Sequence, residues 1–287
     1  MMNHGPEVWR TTFQNEGYLV LHDLLSSGLL SRLCAGMEKI MCDHENLPAR
    51  LKREIFLERD HVKNNPQWYP ECSPDQSGNA VRQIDNLLSF DPVFTELLCF
   101  PPLLDVLETL FESTEFGLHL LVGRPKAARV GNGISNGAYH RDTPQEHFTS
   151  ANTIIAIICL DEMTTENGPT MLIRGSHKVS DDEARDPRWR EVAVDKIDPS
   201  DRVSVCCPAG SGIFFSSKII HAAGHNRSAI SRRTVNLVWT GPDVLPTSGE
   251  RHQYEGLRPR SRIDVFRKQM DLTFPEFFAG QESRAPI

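Results

Sequence analysis

Three residues whose side chains commonly bind metal ions lie at two places in the chain. His140 and Asp142 are two positions apart, and on an extended strand residues with this spacing project to the same face. His221 lies 79 positions after Asp142 and offers a second imidazole. Two histidines and one carboxylate on one face of an octahedral ion leave the opposite face open, an arrangement typical of non-heme Fe(II) oxygenases. The sequence therefore predicts a metal centre formed by His140, Asp142 and His221.

The composition favours a protein that acts on a small-molecule substrate. The 287 residues include 31 Lys and Arg against 38 Asp and Glu, a net charge of −7, which disfavours nucleic acid and anionic membranes as partners. The seven cysteines contain no CxxC pair, so we expect free thiols in a reducing, cytoplasmic compartment. The first ten residues lack the apolar core of a signal peptide, and the longest apolar run, 153–160, is too short to span a bilayer.

The spacing of apolar residues changes near residue 116, from the period of helices to that of short strands. Before this point the pattern predicts a strand at 18–22, a helix at 29–41 capped by Ser26 or Ser27, and helices at 94–99 and 103–111. The polar segment 46–77, which contains four prolines, predicts a long and partly irregular structure. After it, runs bounded by turn residues predict strands at 117–122, 153–160, 170–173, 203–207, 212–215 and 234–239.

Short strands with turn signals predict a barrel or a sandwich. The charged segment 178–201 is longer than a hairpin needs and predicts a helical or loop insertion near the barrel mouth. We find no internal repeat, low-complexity tract or linker. We therefore expect one domain, 1–287, in which a helical part at about 1–115 packs on a barrel at about 116–245.

The order and spacing of five segments resemble the phytanoyl-CoA dioxygenase family. These segments are 13–21, 91–94, His140-Arg141-Asp142, 166–178 and 221–233. The resemblance extends over most of the chain and implies a mainly β fold with flanking helices, the double-stranded β-helix that is also called a jelly roll or cupin-like barrel. It further implies Fe(II), 2-oxoglutarate as cosubstrate and dioxygen, with His140, Asp142 and His221 as the iron ligands.

The family resemblance also assigns a cosubstrate-binding arginine. In the family, an arginine eleven positions after the distal histidine holds the far carboxylate of 2-oxoglutarate, and here that position is Arg232. A planar guanidinium suits this carboxylate better than an ammonium does. Because Arg232 and Arg233 are adjacent, they face opposite ways on a strand and one of them can point into the barrel. The alternative is that both are surface charges on a strand edge.

Three further residues have two readings each. Thr170 matches a position whose hydroxyl reaches the cosubstrate in related enzymes, but it is equally typical of an ordinary strand. Arg82 lies in a segment resembling one that carries a basic residue beside the cosubstrate, and a solvated arginine is the alternative. His225 is interpreted as a loop or supporting histidine rather than a ligand, because the family pattern uses His221.

The resemblance implies oxidation of an unactivated C–H bond by hydroxylation, desaturation or rearrangement, with ascorbate as reductant in assays. Asp142 leaves no coordination site for chloride, which favours hydroxylation over halogenation. A secondary metabolite is the favoured substrate. We expect the residues that determine substrate specificity to lie in the segments 54–79, 132–139 and 178–201. The alternatives are an acyl-CoA hydroxylase and a jelly-roll module that binds metal or ligand without turnover. The oligomeric state stays open, a homodimer being one alternative.

Overall fold

Helices occupy the first part of the chain and strands most of the remainder. The computed structural model describes residues 5–66, 75, 78–128, 139–142, 149–180, 198–245 and 258–260. The helices are α1 (Pro6–Glu16), α2 (Ser27–Asp43), α3 (Ala49–Lys52), α4 (Glu58–Asn64), α5 (Val93–Leu98) and α6 (Pro101–Phe111). The strands are β1 (Tyr18–Leu21), β2 (Ile55–Leu57), β3 (Val81–Asp85), β4 (Gly117–Gly123), β5 (Thr153–Cys159), β6 (Thr170–Ile173), β7 (Arg202–Val205), β8 (Gly212–Ser216), β9 (His221–Ala223) and β10 (Thr234–Thr240).

The strands form two antiparallel sheets that pack against each other. The large sheet has the order β1-β8-β5-β10-β4-β3-β2, and the small sheet has the order β7-β6-β9. Side chains of both sheets share one apolar cluster, in which Ile155 and Phe215 of the large sheet meet Leu172 and Val205 of the small one. Two antiparallel sheets packed face to face are the arrangement of a jelly roll. The predicted fold class, mainly β with flanking helices, is confirmed.

The central strand β5 is buried on both of its faces. Ile154, Ala156 and Ile158 project towards the helical layer, whereas Ile155 and Ile157 project towards the small sheet. Burial of one such isoleucine side chain contributes about 1.5–3 kcal/mol to folding. Because every second residue serves a different core, β5 reads as a continuous apolar run rather than as an alternating one.

The helical layer covers the outer face of the large sheet. Helix α2 begins after Ser26, whose hydroxyl accepts a hydrogen bond from the backbone N–H of Leu29 at 3.3 Å, as the capping pattern predicts. Its residues Leu33 and Met37 are fully buried in the cluster that also contains Leu237 of β10. Helix α2 therefore packs against the face of the large sheet that is opposite to the metal-binding residues.

The segment 46–77 was predicted to be partly irregular, and its first part contains short regular elements that the sequence did not locate. The structure has α3, β2 and α4 there, and β2 pairs antiparallel with β3 through Ile55 and Ile84. Strand β2 has only three residues and no fully buried side chain, so local periodicity could not reveal it. Helix α1 and the strands β3 and β9 were also not predicted, since each is fixed by pairing or packing with distant residues.

The remaining predicted strands agree with the structure to within two residues at their ends. Most of the predicted insertion, residues 181–197, lies outside the described residues, and so do the parts 67–74 and 132–138 of the segments expected to choose the substrate. Over the described ranges, none of the helices combines the length and the apolar composition that crossing a bilayer requires.

Candidate metal centre

The backbone brings the two halves of the predicted metal centre together. His140 and His221 form an antiparallel bridge in which each backbone N–H donates to the other residue's carbonyl, at 2.9 and 2.8 Å. The N–H of Asp142 donates to the carbonyl of Ser217 at 3.1 Å. Residues 139–142 thus lie alongside the start of β9. This pairing places the histidines side by side, although they are far apart in the sequence.

The ligand atoms of the three residues converge on one point. Nitrogen atoms of His140 and His221 and a carboxylate oxygen of Asp142 all lie within 4.8 Å of one another. The Nε2 atoms of His140 and His221 are 3.7 and 3.8 Å from the two carboxylate oxygens of Asp142. Two imidazole nitrogens and one carboxylate are the donor set of the Fe(II) facial triad, so the residues present fit that ion.

His221 is held in the orientation that a metal ligand needs. Its Nδ1 lies 3.1 Å from the carbonyl oxygen of Ile219 and donates a hydrogen bond to it, which leaves Nε2 facing Asp142. Its ring lies 4.8 Å from the ring of Phe215. Burial lowers the pKa of His221 below its usual value, against an opposing effect of Asp142. The neutral imidazole, which is the form that binds metals, is therefore favoured.

Arg232 lines the same cavity, and part of its guanidinium has no hydrogen-bond partner among the described residues. It is 5% exposed, and its Nη2 donates to the carbonyl of Gly168 at 2.7 Å. Its Nε is buried without a hydrogen-bond partner, and no carboxylate of the described residues forms an ion pair with it. Burial lowers its pKa from the usual value, but a guanidinium remains protonated at neutral pH. A buried cation in this state matches an acidic ligand.

Gly168 supplies the carbonyl that orients Arg232, and its own conformation excludes a side chain. Its φ is +84°, and a Cβ at this position would lie 2.6 Å from the carbonyl oxygen of Gly224 and 2.6 Å from Cδ of Lys126. Residues other than glycine adopt such a φ at a cost. The tight approach of three chain segments therefore fixes the guanidinium of Arg232.

The predicted residues Thr170 and Arg82 line the same cavity as the three metal-binding residues and Arg232. The cavity has a volume of about 400 Å³. Thr170 is buried on β6, opposite Ala223 of β9. Arg82 donates to Glu58 at 3.0 Å, so its guanidinium already has a protein partner. The structure thus brings all six predicted residues to one cavity, and their individual roles stay predictions.

Two basic residues of the cavity, Arg124 and Lys126, were missed in the sequence. They follow Val122 of β4 at alternate positions, and all three line the cavity. The backbone of Lys126 pairs with Arg232 through hydrogen bonds of 2.7 and 2.9 Å. The period of two residues that marks β4 continues through Arg124 to Lys126, and extending it would have revealed both.

Asn226 stabilises the turn between β9 and β10. Its side-chain amide donates to the carbonyls of Lys126, Ala127 and Ile230 at 2.8 to 3.1 Å. His225 does not belong to the group of His140, Asp142 and His221. The interpretation that His225 is not a ligand is consistent with this placement, and Asn226 positions the chain that leads to Arg232.

Comparisons with known proteins identify relatives of this chain. A family model described as phytanoyl-CoA dioxygenase (PhyH) matches residues 13–234. The peroxisomal phytanoyl-CoA dioxygenase of Mus musculus is 26% identical over 82% of this chain and 68% of its own length. The dioxygenase swnH1 of Metarhizium robertsii is 32% identical over 50% of this chain and 42% of its own length.

A solved structure has the same fold. It is described as the epimerase SnoN in complex with Fe3+, alpha-ketoglutarate and nogalamycin RO. The TM-score is 0.64 at 18% identity, and the match covers 88% of this chain and 94% of that one. At this level of identity the likeness establishes the fold.

Proposed function

Because this chain belongs to the phytanoyl-CoA dioxygenase family of Fe(II)- and 2-oxoglutarate-dependent oxygenases, we propose that it hydroxylates an unactivated C–H bond of a secondary metabolite. His140, Asp142 and His221 hold the iron in this proposal, and Arg232 binds the remote carboxylate of 2-oxoglutarate. The observation that carries the proposal is the shared cavity, in which three convergent metal-binding atoms face the same space as a buried guanidinium that has no carboxylate partner among the described residues.

The iron and its cosubstrate supply the oxidising power when bound, as 2-oxoglutarate and dioxygen become succinate, carbon dioxide and the hydroxyl group of the product. The protein holds the reactants in place and shields them. His140, Asp142 and His221 would hold the ion and would leave coordination positions free for exchangeable groups. Arg232 offers two-pronged donors to a carboxylate, and the carbonyl of Gly168 keeps that guanidinium from rotating.

The cavity wall beside the metal-binding residues is apolar. Ile155 and Ile157 of β5 and Phe215 of β8 line it, together with Val238 and Leu120 from β10 and β4. Such walls exclude water from a reactive site and limit the side reactions that water would cause. Thr170 offers a hydroxyl in the same cavity, and we propose that it donates to the cosubstrate.

Succinate formation tests the proposal. Purified protein receives Fe(II), ascorbate and 2-oxoglutarate, and succinate is measured with and without extracts that contain secondary metabolites. We expect succinate from the wild type and from Asp105→Ala, a matched change at an exposed carboxylate of α6, and none from Asp142→Ala. Equal yields from the wild type and Asp142→Ala would contradict the proposal.

The guanidinium of Arg232 also distinguishes an oxygenase from a module that only binds a metal ion. A jelly-roll module without turnover would bind a divalent metal and would have no task for Arg232. Calorimetry of 2-oxoglutarate binding to anaerobic Fe(II)-loaded protein tests this point. We expect binding by the wild type, with affinity lowered by Arg232→Met.

A further inference from the structure

The cavity concentrates positive charge inside a protein whose net charge is −7. Four basic side chains line it, and only two carboxylates of the described residues do so. The basic residues are Arg82, Arg124, Lys126 and Arg232, and the acidic ones are Glu58 and Asp142. Since burying an unpaired charge is costly, each cation should have a partner in the working complex.

Two of these cations already have partners. Arg82 donates to Glu58 at 3.0 Å, and Glu58 is only 3% exposed. In the proposed function Arg232 pairs with 2-oxoglutarate. The three positive charges of Fe(II) and Arg232 then equal the three negative charges of Asp142 and the cosubstrate dianion, so this part of the site is neutral.

Arg124 is left without such a partner. Its backbone pairs with Thr234, at 2.8 and 3.3 Å, and its side chain lines the cavity between Val122 and Lys126. No hydrogen bond or ion pair joins its guanidinium to another side chain in the part of the chain that the structure describes. Burial and the neighbouring Arg82 lower its pKa to about 10, against opposing effects of Asp85, Asp142 and Glu58. None of these three carboxylates forms an ion pair with it in the described structure, and the group still carries its charge at neutral pH.

Lys126 is less suited than Arg124 to bind an anionic group at neutral pH. Its ammonium donates to the carbonyl of Gly224, and its backbone pairs with Arg232. Burial, followed by Arg232 and Arg82, lowers the pKa of Lys126 to about 7. Lys126 can therefore give up its proton near neutral pH, whereas Arg124 keeps its charge.

We propose that the substrate is a small organic acid whose carboxylate binds the guanidinium of Arg124. This inference rests on the proposed function and specifies its substrate class. Since the carboxylate and the iron share one cavity of about 400 Å³, the C–H bond that is oxidised lies a few bonds from the carboxyl group. One guanidinium balances a monoanion, whereas a phosphate monoester carries about −1.5 to −2 charges at pH 7.

Binding of matched acids and amides tests the inference without turnover. Fe(II)-loaded protein with saturating 2-oxoglutarate is kept free of oxygen. Benzoate and benzamide, cyclohexanecarboxylate and its carboxamide, and octanoate and octanamide are then titrated by calorimetry and ligand-observed NMR. We expect at least one acid to bind about tenfold or more tightly than its amide, as a charge-assisted pair requires. A matching octyl phosphate should bind less tightly than octanoate.

Variants connect the preference to Arg124. Arg124→Gln should abolish the preference for the acid and change the affinity for 2-oxoglutarate by less than about threefold. Arg124→Lys should retain part of the preference, because it keeps the charge. Arg174→Gln, a matched change at an exposed arginine paired with Glu16 at 3.1 Å, should change neither quantity. Unfolding curves check that each variant is folded.

The possible results separate this inference from the proposed function. No binding of 2-oxoglutarate by the wild type would overturn the proposed function and the inference with it. Normal 2-oxoglutarate binding overturns the inference alone if no acid binds at millimolar concentration, if amides bind as well as acids, or if the preference survives Arg124→Gln. Loss of 2-oxoglutarate affinity in Arg124→Gln with an unchanged acid preference would assign this guanidinium to the cosubstrate instead.

Discussion

Arg232 and Arg233 are adjacent in the sequence but lie on opposite faces of the large sheet, and their hydrogen-bond partners differ. Arg233, on the outer face, donates to Asp161 at 2.7 and 2.8 Å and to Glu38 of α2 at 2.9 Å. Arg232, on the inner face, has a carbonyl and a hydroxyl at 3.4 Å as its acceptors among the described residues. The hydrogen bonds with Asp161 raise the pKa of Arg233, whereas burial lowers that of Arg232.

This difference separates a structural cation from one that awaits a ligand. Arg233 joins the helical layer to the sheet, and the protein itself supplies its counter-charges. Arg232 and Arg124 line a cavity and form no ion pair with a carboxylate of the described residues, and we propose that a ligand supplies the counter-charge. Counting the protein partners of each buried cation therefore distinguishes the two roles.

Replacing Arg232 should have the largest effect on ligand binding. We expect Arg232→Met to raise the dissociation constant of 2-oxoglutarate about a hundredfold, since a buried two-pronged ion pair is lost. The free energy of unfolding should not fall, because an unpaired buried cation is removed. Calorimetry and urea unfolding measure the two quantities. A large loss of stability with unchanged affinity would reverse the assignment of the two faces.

Replacing Arg233 should have the complementary effect. We expect Arg233→Met to lower the free energy of unfolding by about 2 kcal/mol, because Asp161 loses its paired donors in a half-buried position. The affinity for 2-oxoglutarate should change by less than about threefold. Urea unfolding and calorimetry of this variant beside Arg232→Met give a direct comparison, and equal stability losses in both variants would show that the faces do not differ.

A substitution at Gly168 tests whether the close packing around Arg232 contributes to stability and to 2-oxoglutarate binding. Gly168→Ala should lower the free energy of unfolding by about 1–2 kcal/mol more than Gly175→Ala does. Both glycines have a positive φ, but a Cβ at Gly175 meets none of the described atoms within 4 Å, whereas a Cβ at Gly168 meets the carbonyl of Gly224 and the side chain of Lys126. Calorimetry should also detect weaker 2-oxoglutarate binding in Gly168→Ala alone. Identical behaviour of both variants would show that the crowding is relieved without cost.

The buried ammonium of Lys126 should produce a smaller, pH-dependent effect. Arg232, Arg82 and Arg124 face it and favour its neutral form, whereas Glu58 opposes them, and its pKa falls from 10.5 to about 7. Between these values the unfolded chain holds a proton that the folded chain lacks, so the stability of the wild type rises with pH.

The variant Lys126→Met isolates this contribution. The difference in unfolding free energy between the wild type and the variant should move in favour of the wild type by about 1 kcal/mol per pH unit above pH 7. Below pH 7 the difference should be constant, since both states of the wild type are then protonated. Urea unfolding at several pH values provides the measurement, and a difference that is independent of pH would contradict the burial of this ammonium.

Several parts of the fold could be predicted because their signals are local. Ser26 caps α2 through its own hydroxyl, and the apolar run of β5 predicts a strand that is buried on both sides. The helices and strands of 46–64 could not be predicted, because the short β2 exists through its pairing with β3, which begins 24 residues after β2 ends. The organisation as one domain stays a prediction.

The sequence by itself determined which residues could bind iron and 2-oxoglutarate. His140, Asp142, His221 and Arg232 have the required side chains at fixed separations, and the functional groups that a residue carries are set by the sequence alone. Only the tertiary structure decided which cations have partners. The partner of Arg82 comes from α4, that of Arg233 from α2 and the chain after β5, and Arg124 receives none among the described residues. Charge pairing depends on distances between remote segments, and no local pattern encodes those distances.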